Sequence, residues 1–413
     1  MLVFMLFDWL TMDGKLLLSA RMVRTFSYGF LSIILAIYLK QIGFEDILIG
    51  VILSATLLNS VFFTLFASFY ADKIGRKNIL IIYAVLMSIA GAVFLVTDNY
   101  LALVAAALIG TINVTGSETG AFLSVEQGIL PQTIRNIRKR NTLYAFYNMG
   151  GTFAMSGGIL LSGLPQMLQE TGWHQIDSFK PLFGIYVVAG FSVSLLYVFL
   201  SKDIETNRKQ TKVKTSPIRQ LSPKSRGVVG RLSGLFSLDS FAGGFVIQSI
   251  ISFWFFTRFE VDLTMLSLIF SVTGVLTAFS YIIATRIADR IGLINTMVFT
   301  HIPSNVLLIL LAFAPTFHVA LGLHLARMTI SQMDVPTRQS YIVAVVDEDE
   351  RIAAAGITNT SRNIAQAVSP SITGIIIQSL WISAPFVIGG ILKIVYDIGV
   401  YIGFRKIKPP DEM

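Results

Sequence analysis

Apolar runs of about twenty residues follow one another along nearly the whole chain, separated mostly by short polar turns. A chain built this way buries its backbone polar groups within helices that cross a lipid bilayer, because hydrocarbon offers them no other partner. The composition agrees. Hydrophobic residues make up 54% of the 413 residues and charged residues only 14%, against roughly 25% in soluble domains. The mean hydropathy is +0.70. There is no cysteine, which excludes disulfides, thiolate metal sites and a cysteine nucleophile. Residues 1–8 show no basic stretch and only a short apolar run, so a cleaved signal is not expected there.

Twelve spans are expected, at roughly 16–40, 46–70, 78–97, 100–131, 142–168, 180–200, 228–257, 263–287, 293–314, 317–345, 352–380 and 382–404. An even number puts both termini on one side. Segments after even-numbered spans carry Lys73, Arg76, Lys77, Arg135, Arg138, Lys139, Arg140, Arg290 and Arg351, and the tail adds Arg405, Lys406 and Lys408. Segments after odd-numbered spans offer Lys40, Lys180 and Arg258. Basic residues collect on the cytoplasmic side, so a multi-pass protein of the cytoplasmic membrane is expected, with both termini in the cytoplasm. The net charge of +8 therefore marks topology and not nucleic-acid binding. Residues 201–227 form a basic linker, with Pro217 and Pro223 opposing regular structure. It divides the chain into a 1–200 bundle and a 228–413 bundle, and reads first as a solvated topological anchor, with a site for anionic lipid as the alternative.

A short turn fixes the internal organisation. Ala71-Asp72-Lys73-Ile74-Gly75-Arg76-Lys77 separates the second and third spans, and Ala288-Asp289-Arg290-Ile291-Gly292 recurs 217 residues later. Tyr28-Gly29-Phe30 matches Gly243-Gly244-Phe245 at 215, Glu126-Gln127 matches Arg338-Gln339 at 212, Asn148 matches Asn359 at 211 and Gly158 matches Pro370 at 212. Near-constant separation over several spans predicts a duplication of six spans, the halves related by an axis along the membrane normal.

Asp72, Gly75 and Arg76 after the second of twelve spans, the echo at Asp289 and Gly292 after the eighth, and the basic middle segment resemble the major facilitator superfamily. Ser68 stands where the family has a glycine, and the echo lacks the basic pair, since Leu293 and Ile294 follow Gly292. The resemblance implies an all-α membrane protein of twelve transmembrane helices in two pseudo-symmetric six-helix bundles. It also implies that Asp72, Gly75 and Arg76 help to hold the loop ends of the helices together and to control rocking between two open states. The family's Gly-Pro step on the fifth span is absent from Gly150–Gly158. Tyr28-Gly29, the stretch Gln332–Gln339 and Arg362 resemble a subgroup of prokaryotic facilitators.

An ionised group facing hydrocarbon costs roughly 2.5–3.5 kcal/mol on insertion scales, so charges within spans are expected to face a cavity or a partner. The candidates for a substrate or proton pathway are Arg24, Glu118, Glu126, Asp239, Arg327, Asp334, Arg338 and Arg362. Arg21 can snorkel to the surface. Arg24 and Asp239 hold equivalent places with opposite charge, which allows a bridge across the axis or a separate partner for each. Arg327, Ser331, Asp334, Arg338 and Tyr341 step by 4, 3, 4 and 3 residues along one helical face, and Pro336 among them opens a mid-membrane backbone bond. His324 reads as an interfacial histidine and His301 as solitary. Glu126 and Arg338, with Gln127 and Gln339, are expected to approach when the inner side closes.

The expected activity is secondary transport of a small solute by alternating access. No nucleotide-binding loop occurs, and no cofactor or metal is expected. The carboxylates suggest coupling to protons. The first expectation is export of an organic or drug-like compound against inward protons; the alternative is an anionic metabolite taken up or exchanged, motivated by Arg24, Arg338 and Arg362. A membrane enzyme or a channel is the competing class, disfavoured by the lack of a metal-spaced cluster or a nucleophile elbow. A monomer is expected.

Overall fold

A computed structural model describes residues 10–115, 120–133, 140–205, 221–347 and 350–407. Glu118 and residues 206–220 of the basic linker lie outside them, and so does the lipid-site expectation that rests on that linker. Of Asp72 only the backbone is described.

The described residues are helical almost throughout. The first half runs α1 (Met12–Gln41), α2 (Asp46–Ile74), α3 (Arg76–Val96), α4 (Tyr100–Ile109), α5 (Ala121–Ile129), α6 (Arg140–Leu161), α7 (Leu164–Glu170) and α8 (Lys180–Val198). The second runs α9 (Pro223–Gly244), α10 (Gln248–Phe259), α11 (Leu263–Ile291), α12 (Leu293–Ala312), α13 (Phe317–Ile330), α14 (Asp334–Ala344), α15 (Arg351–Ser379) and α16 (Ala384–Phe404). Pairs α4/α5, α9/α10 and α13/α14 are the broken fourth, seventh and tenth spans. The result is the expected pair of six-span bundles. Eight spans are long and apolar enough to cross a membrane by themselves, among the described residues. The other four, the fourth, fifth, tenth and eleventh, are interrupted or carry the polar stripes.

Packing follows the repeat. The first span packs on the fifth and the seventh on the eleventh; the third packs on the sixth and the ninth on the twelfth. Between the halves, the second span packs on the eleventh and the fifth on the eighth, again a matched pair. Missing side chains make these approaches possible. A Cβ on Gly158 would lie 1.7 Å from the carbonyl oxygen of Phe26, and one on Gly244 would lie 2.4 Å from the Cβ of Ser369. Small residues let backbones approach where lipid supplies no hydrophobic drive.

The two motif turns mark one face, called here the loop side. Gly75 (φ +104°) and Gly292 (φ +86°) each end one helix and begin the next. Positive φ at these reversals is open to glycine and costly for a residue with a Cβ. Asn78 and Asn295, 217 residues apart, each donate a side-chain hydrogen bond back to the carbonyl of Ile74 or Ile291. Glu205 accepts hydrogen bonds from the backbone of Arg76 (2.8 Å) and Lys77 (3.1 Å), filling the positive end of α3.

Candidate functional site

On the distal side the halves are sewn together. Ser249 donates to the carbonyl of Ser32 (2.7 Å), Ser252 to that of Ile33 (3.1 Å), and the backbone of Ser371 to the hydroxyl of Ser54 (2.9 Å). Gln378 reaches Glu45 at 3.2 Å. Gly50 and Gly374 let α2 and α15 touch: a Cβ on either would meet a backbone oxygen of the other helix, at 2.4 or 2.3 Å. A cavity of about 570 Å³ lies between the halves on the loop side of this seam.

All three broken spans end at that cavity. Thr115 and Gly120 border the break in the fourth span, Val246 and Ile247 that in the seventh, and Ser331 and Gln332 that in the tenth; all six line the cavity. Unwound backbone at membrane depth persists where protein or water satisfies it. Here the carbonyl of Thr111 accepts from the Tyr186 hydroxyl (3.1 Å), and that of Val114 from Ser249. Pro336 does not open a helix from within. It stands in the first turn of α14, where the N–H it lacks would have had no helical partner.

The charged residues divide into two groups. In the first half, Arg24 and Glu126 form a sealed pair at 2.8 Å with both side chains 0% exposed. Tyr197 accepts from Arg24 (2.6 Å) and donates to Glu126 (2.6 Å), and Tyr147 donates to the second carboxylate oxygen. The Phe122 ring covers the guanidinium at 4.2 Å. This pair is closed off from the cavity, and neither residue lines it. Arg21 turns inward, over the ring of Tyr147 at 3.8 Å, instead of snorkelling.

In the second half the equivalent pair, Asp239 and Arg338, is joined at 3.2 Å and lines the cavity. Arg338 also holds Asp334 at 2.7 Å, and Lys393 holds Asp239 at 2.7 Å. Both sequence alternatives for Arg24 and Asp239 are thereby decided for this state: each has its partner within its own half. Glu126 and Arg338 are likewise engaged separately, while Gln127 and Gln339 line the cavity from opposite halves.

Arg327 and Arg362 line the same cavity and have no carboxylate partner among the described residues. The Nε of each is buried without a hydrogen-bond partner. The Nη1 of Arg327 reaches the thioether of Met328 at 3.7 Å, a weak acceptor. Asn359, Asn363 and Gln366 of α15 add neutral polar groups to the lining. Tyr341 faces elsewhere and donates to the carbonyl of Ile407 (3.0 Å).

Sequence reasoning missed a cluster beside Asp239. His301 is bound to Asp397 at 2.8 Å, and Asn305 donates to the second oxygen of Asp397 at 3.0 Å. His301 and Lys393 line the cavity. The signal was available: Lys393 and Asp397 stand four residues apart in an otherwise apolar span, on one helical face. His324, read as interfacial, is buried between Phe255 and Phe270.

The family model described as Major Facilitator Superfamily matches residues 17–332. An uncharacterized membrane protein of Saccharomyces cerevisiae is 25% identical over 428 residues, covering 96% of this chain and 95% of its own. That relative is a yeast protein, so the likeness extends beyond the prokaryotic subgroup named from the sequence. Among solved structures, a mutant form of the nucleoside transporter NupG superposes with a TM-score of 0.77 at 14% identity, covering 95% of this chain and 100% of that one. A D-xylose–proton symporter gives 0.73 at 15% identity, covering 94% and 97%.

Proposed function

The chain belongs to the major facilitator superfamily, and on that premise we propose that this transporter carries a small organic anion across the membrane by alternating access. The observation that supports this solute class is the pair of cavity-lining guanidinium groups, Arg327 and Arg362, that lack a carboxylate partner among the described residues. Guanidinium groups recognise carboxylates and phosphates through directed, charge-assisted hydrogen bonds. A largely apolar, drug-like solute suits this lining less well, since Asp, Arg, Lys, Asn and Gln side chains supply much of it.

The moving bodies in this reading are residues 1–200 and 228–413, joined by the 201–227 linker. The distal seam is closed and the cavity lies toward the loop side, which the basic residues Arg76, Lys77 and Arg290 argue is cytoplasmic. Asp72, Gly75, Arg76, Asp289 and Gly292 stand at the turns that must re-pack when that side closes, and Gln127 and Gln339 are the groups positioned to meet there. Each state is stabilised only by what it binds differently from the other.

A thermal-stability screen of the purified protein against succinate, citrate, gluconate, inorganic phosphate, uridine and xylose tests the solute class, because a ligand of the folded state raises its stability. An anion is expected to stabilise the protein and to drive counterflow of its labelled form in proteoliposomes. Arg327→Gln and Arg362→Gln are each expected to weaken its binding about tenfold to a hundredfold, the loss of a charge-assisted hydrogen bond. Stabilisation by the neutral solutes alone, or full affinity in both variants, contradicts the proposal.

A further inference from the structure

We propose that His301, held between Asp397 and Asp239, is the proton site that couples proton movement to the anion. The inference rests on the anion reading above and adds a residue group outside it.

The geometry begins with Asp397. It is 1% exposed, and its two oxygens are met by His301 Nδ1 at 2.8 Å and Asn305 Nδ2 at 3.0 Å. With Asp397 ionised the carboxylate only accepts, and a neutral imidazole then carries its hydrogen on Nδ1 and its lone pair on Nε2; Asn305 Nδ2, 3.3 Å from the same Nδ1, gives its hydrogen to Asp397. Nε2 points the other way, to within 3.9 Å of an Asp239 oxygen, and His301 lines the cavity. One proton delivered by cavity water adds to Nε2. The Nδ1–H bond to Asp397 stays, and the imidazolium then lies between two carboxylates.

Charges on every neighbouring element decide what that proton does. The seventh span brings Asp239, the tenth Asp334, Arg338 and Arg327, the eleventh Arg362, and the twelfth Lys393 and Asp397 beside Tyr396. Arg286, Asp289 and Arg290 of α11 are exposed toward the loop end. With His301 neutral, the three carboxylates Asp239, Asp334 and Asp397 outnumber the two cations bound to them, Arg338 and Lys393. Adding the proton balances that network. The positive charge of Arg327 and Arg362 is then left uncancelled for a ligand. Proton and anion therefore favour each other's binding, and the favour is reciprocal. Both leave together when the cavity opens to the other side, which makes the coupling a symport.

The test uses the full chain in proteoliposomes adsorbed on a solid-supported membrane, with a pH jump and no added solute. The wild type is expected to give a transient charge movement. His301→Gln loses most of it, and Asp397→Asn, which keeps the side-chain shape, reduces it. His324→Gln, a buried histidine away from the cavity, keeps it. In the thermal screen, anion affinity of the wild type rises by up to about tenfold per pH unit lowered, the slope of one linked proton, and His301→Gln flattens that slope. Wild-type charge movement in His301→Gln overturns the inference, as does its loss in His324→Gln alone. Absence of anion binding by the wild type is a separate result and sinks the solute class instead.

Discussion

Arg24 and Glu126 occupy the repeat positions of Asp239 and Arg338, so the two halves hold the same ion pair with its charges exchanged. Their surroundings differ. Glu126 spends its lone pairs on Arg24, Tyr147 and Tyr197, and nothing is left for a ligand. Asp239 and Arg338 share theirs with Asp334 and Lys393 at the cavity wall. Removing one member of a buried pair leaves an uncompensated charge and costs about 3–5 kcal/mol. Arg24→Ala and Glu126→Ala are therefore expected to lower the melting temperature in detergent strongly, and Tyr197→Phe to cost about 1–3 kcal/mol. Unchanged melting in all three contradicts the sealed-pair account. The repeat offsets made the equivalence of these positions legible in the sequence. The partners were not, because equal depth in two halves does not say whether a charge turns toward its own bundle or across the axis. His301 was read as solitary for a related reason: a histidine in an apolar run looks the same whether it is packed away or paired with a residue of another span, here Asp397.

At the scale of elements, the motif turns were readable and the helix breaks were not. Gly75 and Gly292 announce themselves because a reversal between two long helices leaves few residues to make it. The breaks at Phe245–Ile247 and Ser331–Met333 sit inside runs whose polarity pattern continues unbroken. The 4, 3, 4 spacing from Arg327 to Arg338 keeps one face on the cavity because a three-residue interruption near one turn long leaves the face nearly in register, whereas Tyr341, the next step, turns away. Hydropathy carries no sign of an interrupted backbone ladder. The turns themselves give a direct prediction. A Cβ at φ +104° or +86° is strained by about 1–3 kcal/mol. Gly75→Ala and Gly292→Ala should each lower stability by that order, and the double variant should be close to additive because the turns belong to different halves and share no partner among the described residues. Two single variants as stable as wild type would mean that the turns relax freely.

For the whole molecule, the contacts between second and eleventh spans and between fifth and eighth form a matched pair across the two halves. The distal seam is closed by hydrogen bonds and by the backbone approach at Gly50 and Gly374. Rigid halves that rock cannot open one side without closing the other. The absence of cysteine allows paired spin labels to be placed at will. One pair belongs on the loop side at Lys73 and Arg290, the other on the distal side at Leu101 and His318, all exposed. Electron–electron distances in these two pairs, measured in the otherwise native chain and with Gly374→Val wedging the seam, test alternating access without any solute. The wedge is expected to lengthen the distal distance and to shorten the loop-side distance in the same molecules. A distal opening with no change on the loop side would contradict alternating access.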